Sequence, residues 1–284
     1  MSAWLAAARL KSSSSRSKSS VRQSIGNLYT ILREAIDNLT PVALATIVSG
    51  PGLGAKLLVL PDRVEGGFPQ PGLDDVVADA ARTLLEEERS ETKPLALAGS
   101  DDQVEVFIET FPPPPLLVIF GAVHVAQSLC TFAKQLGFRV FVTDARATLA
   151  TEERFPQADR IVRAWPDDAI ADLEITRNSY VAILTHDPKF DEPALIGALA
   201  TEARYIGAVG SRRTNRDRRQ RLTDAGVSPE SISRIRGPIG LDIGADTPDE
   251  MAISILAEII AVRHGRAGGP LTEASGPIRG SVAS

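Results

Sequence analysis

Leu116-Leu117-Val118-Ile119-Phe120-Gly121-Ala122-Val123-His124-Val125-Ala126 is the stretch on which the fold turns. Its first five residues are uninterruptedly apolar, as a strand covered on both faces must be. Gly121 to Ala126 stands where a dinucleotide-binding fold carries G-x-G-x-x-G/A between strand and helix. A second apolar strand, Phe138 to Val142, runs toward Asp144, 23 residues past Gly121. That is close to the spacing of about 20 expected of a ribose-binding carboxylate. Val123 departs from the pattern. The middle glycine normally lets a pyrophosphate lie against the backbone, and a β-branched side chain fills that space.

Downstream, apolar segments at 138–143, 160–163, 180–184 and 204–209 alternate with helical patterns at 124–136, 167–173, 192–202, 211–225 and 248–263. Such alternation implies a parallel sheet with helices on both faces and ligands at the carboxyl ends of its strands. Upstream, helical spacing from Val21 to Leu39 precedes strands at 42–48 and 56–60, with the turn-rich Ser49 to Gly54 between them. A loop at Gly66 to Gly72, a helix from Leu73 to Glu88 and strands at 95–98 and 104–109 complete this part. Four prolines, Pro112 to Pro115, form a stiff extended spacer. The fold class is therefore α/β: a Rossmann-like parallel sheet over 116–264 behind a smaller N-terminal α+β domain over 21–110, with a linker at 111–115. Residues 1–20 read as a disordered basic Ser-rich tail, a composition that organelle transit peptides share. Residues 265–284, rich in Gly, Ala and Ser, read as a flexible tail.

With 43% hydrophobic and 24% charged residues and a formal charge of −5, the 284-residue chain has the make-up of a soluble protein without the basic balance of a nucleic-acid binder. It contains no apolar run of the roughly 20 residues a membrane span needs. The one cysteine, Cys130, excludes an internal disulfide, suits a cytoplasmic location, and falls where a helix should face the core. Three histidines without an H-x-x-x-H pair do not make a metal site.

Candidate binding residues gather in the loops after the strands. Gly121 and His124 open the first helix, where amide donors favour a phosphate or pterin contact, or a local hydrogen bond. Asp144 and Arg146 suit a diol and a phosphate, or a local ion pair. Thr185, His186 and Asp187 follow a buried strand, and His186 can act as acid, base or ligand. Gly210, Ser211, Arg212 and Arg213 place an N-cap and two guanidiniums at a helix start. Arg216, Arg218, Arg219 and Arg221 read as the solvated face of that helix. Gly240 and Asp242 lie in a glycine-spaced loop before a capping box, Thr247-Pro248-Asp249-Glu250.

Together these segments resemble the xanthine dehydrogenase accessory factor family (XdhC/CoxI-like). Its members carry G-A-G-H-V-A, V-x-D-x-R, T-H-D, G-S-R-R-T and P-I-G-L-x-I-G-A-x-T-P-x-E. The counterparts here are Gly121–Ala126, Val142–Arg146, Thr185–Asp187, Gly210–Thr214 and Pro238–Glu250, in the same order over about 116–263. The resemblance implies a chaperone-like maturation factor rather than a turnover enzyme. Such a factor binds molybdenum cofactor (molybdopterin), helps its sulfuration and delivers it to a xanthine or carbon monoxide dehydrogenase-type hydroxylase. Expected partners are that client, a sulfur donor protein and a second copy in a homodimer. Two departures stand out: Val123 in place of glycine, and no cysteine in the loop Gly66 to Leu73. The Rossmann-like half also admits an NAD(P)-dependent oxidoreductase, which Val123 disfavours, or a non-enzymatic nucleotide-binding sensor.

Overall fold

A computed structural model describes residues 26–97 and 102–275. The expected tail at 1–20 lies outside the described residues, as does the end of the C-terminal tail from 276. The described chain divides into two compact units that meet in sequence between Pro113 and Pro114.

The first unit comprises α1 (residues 26–37), β1 (Val42–Ser49), β2 (Lys56–Val59), β3 (Val64–Gly66), α2 (Leu73–Glu86), β4 (Glu91–Ala96) and β5 (Gln103–Phe111). Its strands form an antiparallel sheet in the order β3-β2-β1-β5-β4. Period-two alternation in β1 sends Ala43, Ala45 and Ile47 toward Val77, Ala81 and Leu84 of α2, and Val42 and Leu44 toward Leu28 and Leu32 of α1. Both faces of the sheet are thus covered. β3 includes Gly66, which the composition assigns to a loop, and β4 starts at Glu91 rather than Leu95. The reason for the second difference is Pro94: it sits on an edge strand, where a missing N–H breaks no central ladder.

The second unit carries β6 (Leu116–Phe120), α3 (His124–Gln135), β7 (Arg139–Thr143), β8 (Arg160–Val162), α4 (Pro166–Asp172), β9 (Ser179–Ile183), α5 (Pro188–Leu199) and β10 (Tyr205–Ala208). It continues through α6 (Arg212–Asp224), α7 (Pro229–Ser233), β11 (Ile235–Arg236) and α8 (Pro248–Arg263). Six parallel strands run in the order β11-β10-β9-β6-β7-β8. The chain builds outward from β6 to β8, then returns to lay β9 on the other flank of β6, so the order reverses between β6 and β9. This is the doubly wound topology, and its switch point is where ligands bind. Every residue of β6 and of β9 is buried. One face of the sheet packs on α3 and α8 through Leu129, Cys130, Ile255 and Ile259, and the other on α4 to α7 through Ala169, Leu195, Leu222 and Ile232.

One reading of α6 needs correction. Arg218 is not on a solvated face; its side chain is 1% exposed. Its Nε and Nη2 donate to Asp191 of α5 at 3.1 and 2.6 Å, and its Nη1 donates to the carbonyl of Val209 at 2.9 Å. Arg219 is half-buried, donating to the carbonyls of Ile232 and Ile235. Composition cannot separate these arginines from the exposed Arg216 beside them, because the buried carboxylate that binds Arg218 comes from another helix. Arg218→Ala should lose about 3–5 kcal/mol in urea unfolding, since it strands the Asp191 charge. Arg216→Ala should change stability by less than about 0.5 kcal/mol.

Candidate functional site

At the switch point β6 ends at Phe120, level with Ile183 of β9 and Thr143 of β7. The next residue must turn sharply while the loop after β9 presses against it. Gly121 does so at φ +103°, and a Cβ there would lie 2.7 Å from Thr185 Cγ2. Val123 is the N-cap of α3 and is half-buried against the core that α3 shares with α8.

Asp144 holds this end of the sheet together. Its Oδ2 accepts from the Ala122 amide at 2.9 Å and from Arg146 Nη2 at 2.8 Å; its Oδ1 accepts from the Arg146 amide and Nε, both at 2.9 Å. Burial alone would raise the Asp144 pKa, but the Arg146 guanidinium and the two amides overcome it and hold the carboxyl below the ordinary aspartate value. The carboxylate that the spacing offers to a ribose is thus fully engaged by protein donors. It serves instead to orient Arg146, whose guanidinium also lies 5.5 Å from the ring of Phe190. Phe190 in turn stacks on Trp165, with centroids 4.8 Å apart and planes 14° from parallel. Arg154 completes the frame by donating to the carbonyls of Ala122 and Leu149, each at 2.8 Å.

An open groove of about 500 Å³ runs over these groups, lined by Val123, Arg146, Thr185, His186, Asp187 and Phe190 among others. A smaller cavity beside it is bounded by Gly121, Thr143, Asp144 and Thr185. The hydroxyls of Thr143 and Thr185 are buried here, and among the described residues neither has a hydrogen-bond partner. Two buried hydroxyls without partners are unusual, because desolvating each costs about 1–3 kcal/mol. The cavity they border holds about 10 Å³, room for one water molecule or one polar ligand atom. His186 is exposed at the rim, and Asp187 caps α5 by accepting from the Lys189 amide at 3.0 Å. His124 is exposed at the first position of α3.

The loops after β6, β7 and β9 therefore converge, and they bring Gly121, Asp144, Arg146, Thr185, His186 and Asp187 together. The remaining sequence candidates do not line the groove. Ser211 caps α6 by accepting from the Thr214 amide at 3.1 Å, Gly210 turns at φ +124°, and Arg212 and Arg213 are exposed at the helix start. Gly240 has a packing reason: a Cβ there would lie 2.4 Å from Ser254 Oγ, and its amide donates to Glu258 at 2.8 Å. Asp242 is exposed in the loop that follows. The sequence reading did not single out Arg154, Trp165 or Phe190. The signal for the last two was positional, since both follow strands at the carboxyl edge. Among the described residues no group of three His, Cys, Asp or Glu is placed to hold a metal, and no helix is long and apolar enough to cross a membrane.

A doubly wound nucleotide-type domain with its crevice at the β6/β9 reversal defines the class. The XdhC Rossmann domain matches residues 117–259, and the XdhC and CoxI family matches residues 35–95. The chain belongs to the XdhC/CoxI family. It is 30% identical over 266 residues to the uncharacterized protein YqeB of Escherichia coli K12, covering 88% of this chain and 49% of that one. It is 32% identical over 169 residues to a probable xanthine dehydrogenase subunit of Bacillus subtilis 168, covering 60% and 49%. It is 31% identical over 153 residues to the molybdenum cofactor insertion chaperone PaoD of Escherichia coli K12, covering 54% and 42%. The chain spans about half the length of these relatives.

Because the folded pKa of Asp144 lies below the unfolded one, its contribution to stability is present above about pH 4 and disappears as pH falls through the folded value. Asp144→Asn should therefore be about 1–3 kcal/mol less stable than wild type at pH 7, a gap that closes toward pH 3 in urea titrations. Burial pushes the Cys130 thiol up to about 11. Iodoacetamide at pH 7.5 should leave it unmodified in the folded chain and alkylate it in urea.

Proposed function

We propose that this chain is a maturation factor for a molybdenum hydroxylase of the xanthine or carbon monoxide dehydrogenase type. In this reading it binds molybdenum cofactor in the crevice at the switch point and assists the cofactor's sulfuration and insertion. The observation that carries it is the pair of buried, partnerless hydroxyls of Thr143 and Thr185 beside the fixed guanidinium of Arg146. A relative named as a molybdenum cofactor insertion chaperone supports the reading.

The donor set suits a pterin that carries a phosphate. The two threonine hydroxyls can together hold one polar ligand atom, or a water that bridges to the ligand. Two of Arg146's five N–H donors are engaged by Asp144, which leaves three for an anion. The charges of Asp144 and Asp187 keep that guanidinium firmly protonated. His186 stands at the rim, able to hydrogen-bond a ring nitrogen or oxygen, and His124 lies at the start of α3, where the helix dipole favours an anion. When bound, the cofactor supplies the metal centre of the client's redox chemistry; the residues here would hold it and orient it. The sequence's one thiol, Cys130, is in the core, so sulfur comes from a donor protein in this scheme. The nicotinamide-dependent reading has less support, because Asp144 is fully engaged and Val123 stands where pyrophosphate would approach.

The test is retention. Full-length chain mixed anaerobically with cofactor released from a purified molybdenum hydroxylase is passed over gel filtration, and pterin in the protein fraction is measured by fluorescence after oxidation. Wild type should retain pterin. Arg146→Gln should bind about 10–100-fold more weakly, the effect of losing a charged hydrogen bond, with an unchanged circular dichroism spectrum. Thr185→Val should weaken binding several-fold. Failure of the wild type to retain any pterin, beside a binder that does, overturns the proposal.

A further inference from the structure

Trp165 and Phe190 form a stacked aromatic pair that, among the described residues, belongs to neither hydrophobic core of the second unit. Phe190 lines both the crevice and the small cavity beside it. Trp165 is the N-cap of α4, and its chain neighbours Ala164 and Pro166 line that same cavity. The pair therefore stands at the wall of the crevice.

Both rings project from the starts of helices. The Trp165 carbonyl accepts from the Ala169 amide at 2.9 Å, and Pro166 follows at the first helical position. The Phe190 amide donates to the Asp187 carbonyl at 2.9 Å, in the turn that the Asp187 side chain caps. Packing explains only part of this arrangement. Pro166, Ala169 and Leu173 already bury the inner side of α4. Trp165 adds one ring contact, and 52% of it still meets solvent. An indole normally buries most of its area. Phe190 covers one face of the ring, which leaves surface on which a second flat group can lie.

Three flat groups follow one another at this wall: the Arg146 guanidinium, 5.5 Å from the Phe190 centroid, then Phe190, then the indole. Arg146 has donors to spare for an anion. An anion held there brings a ring attached to it alongside the aromatic pair.

We propose that Trp165 is a stacking residue for the ligand of the crevice, and that this ligand is a fused heterocycle joined to an acidic group. The proposal rests on the reading of the crevice as the cofactor site and adds the residue that holds the ring. Stacking on an aromatic side chain strengthens the binding of a flat heterocycle by roughly five- to hundredfold. It needs no hydrogen-bond register, so it suits a ring whose polar edge is bound by other groups.

The sequence has two tryptophans, Trp4 and Trp165, so Trp4→Phe leaves Trp165 as the one indole emitter. In that full-length variant acrylamide should quench Trp165. Cofactor released anaerobically from a purified molybdenum hydroxylase should lower the quenching constant at least about twofold, because a stacked ring shields the indole. Affinity for the same cofactor should fall at least about fivefold in Trp165→Leu and stay within about threefold in Trp165→Phe, which keeps a ring. Circular dichroism reports folding. If Trp165→Leu does not fold, the quenching comparison, made with Trp165 in place, carries the test. Equal affinity of wild type and Trp165→Leu, equal loss in the Leu and Phe variants, or unchanged quenching while cofactor is retained would each overturn the stacking and leave the crevice reading standing. No retention by wild type would overturn both.

Discussion

The carboxylate of Asp144 accepts four hydrogen bonds, and the carboxyl end of the parallel sheet is organised around it. One comes from the loop after β6 and three from the residue two places along its own loop. An acid in this position usually faces outward to a ligand. Here it faces inward, and its charge is passed to the surface as the orientation of Arg146. Phe190, in the first turn of α5, faces that guanidinium, and Trp165, just before α4, stacks on Phe190. Removal of the acid would free the arginine, separate the first two loops and alter the crevice floor at once.

Arginine has three different roles in the second unit. Arg218 is a buried tie between α5 and α6, neutralised by Asp191. Arg146 is a surface donor set by a buried acid. Arg219 and Arg234 are held by carbonyls and keep their charge. What differs is how many donors remain: Arg218 is wholly buried against Asp191, whereas Arg146 uses two donors on Asp144 and keeps the rest at the crevice.

Most of the second unit is legible from sequence because buried parallel strands are uniformly apolar and each is punctuated by glycine or a polar tip. The run Leu116 to Phe120 with Gly121, and the capping box at Thr247 to Glu250, are local signals that tertiary structure does not override. Short elements were harder: β3 and β11 have three and two residues, too few for a period to show. The α5 start at Pro188 is set by the Asp187 cap, a contact between neighbours that an apolar pattern misses. At the site, residues on the loops after β6, β7 and β9 could be named from position alone. The engagement of Asp144, the partnerless hydroxyls, and the packing reason for Gly240 depend on which elements lie opposite, and one chain read in order does not contain that. The same limit hid the burial of Arg218.

The central claim is that polar ligand binding occurs over Thr143, Arg146 and Thr185 at the β6/β9 reversal. Amide hydrogen exchange with and without added molybdenum cofactor addresses it directly. The account predicts slowed exchange at residues 121–126, 144–147 and 185–190, with 210–214 and 239–243 unchanged. Protection confined to the latter two segments while the cofactor is retained would contradict it.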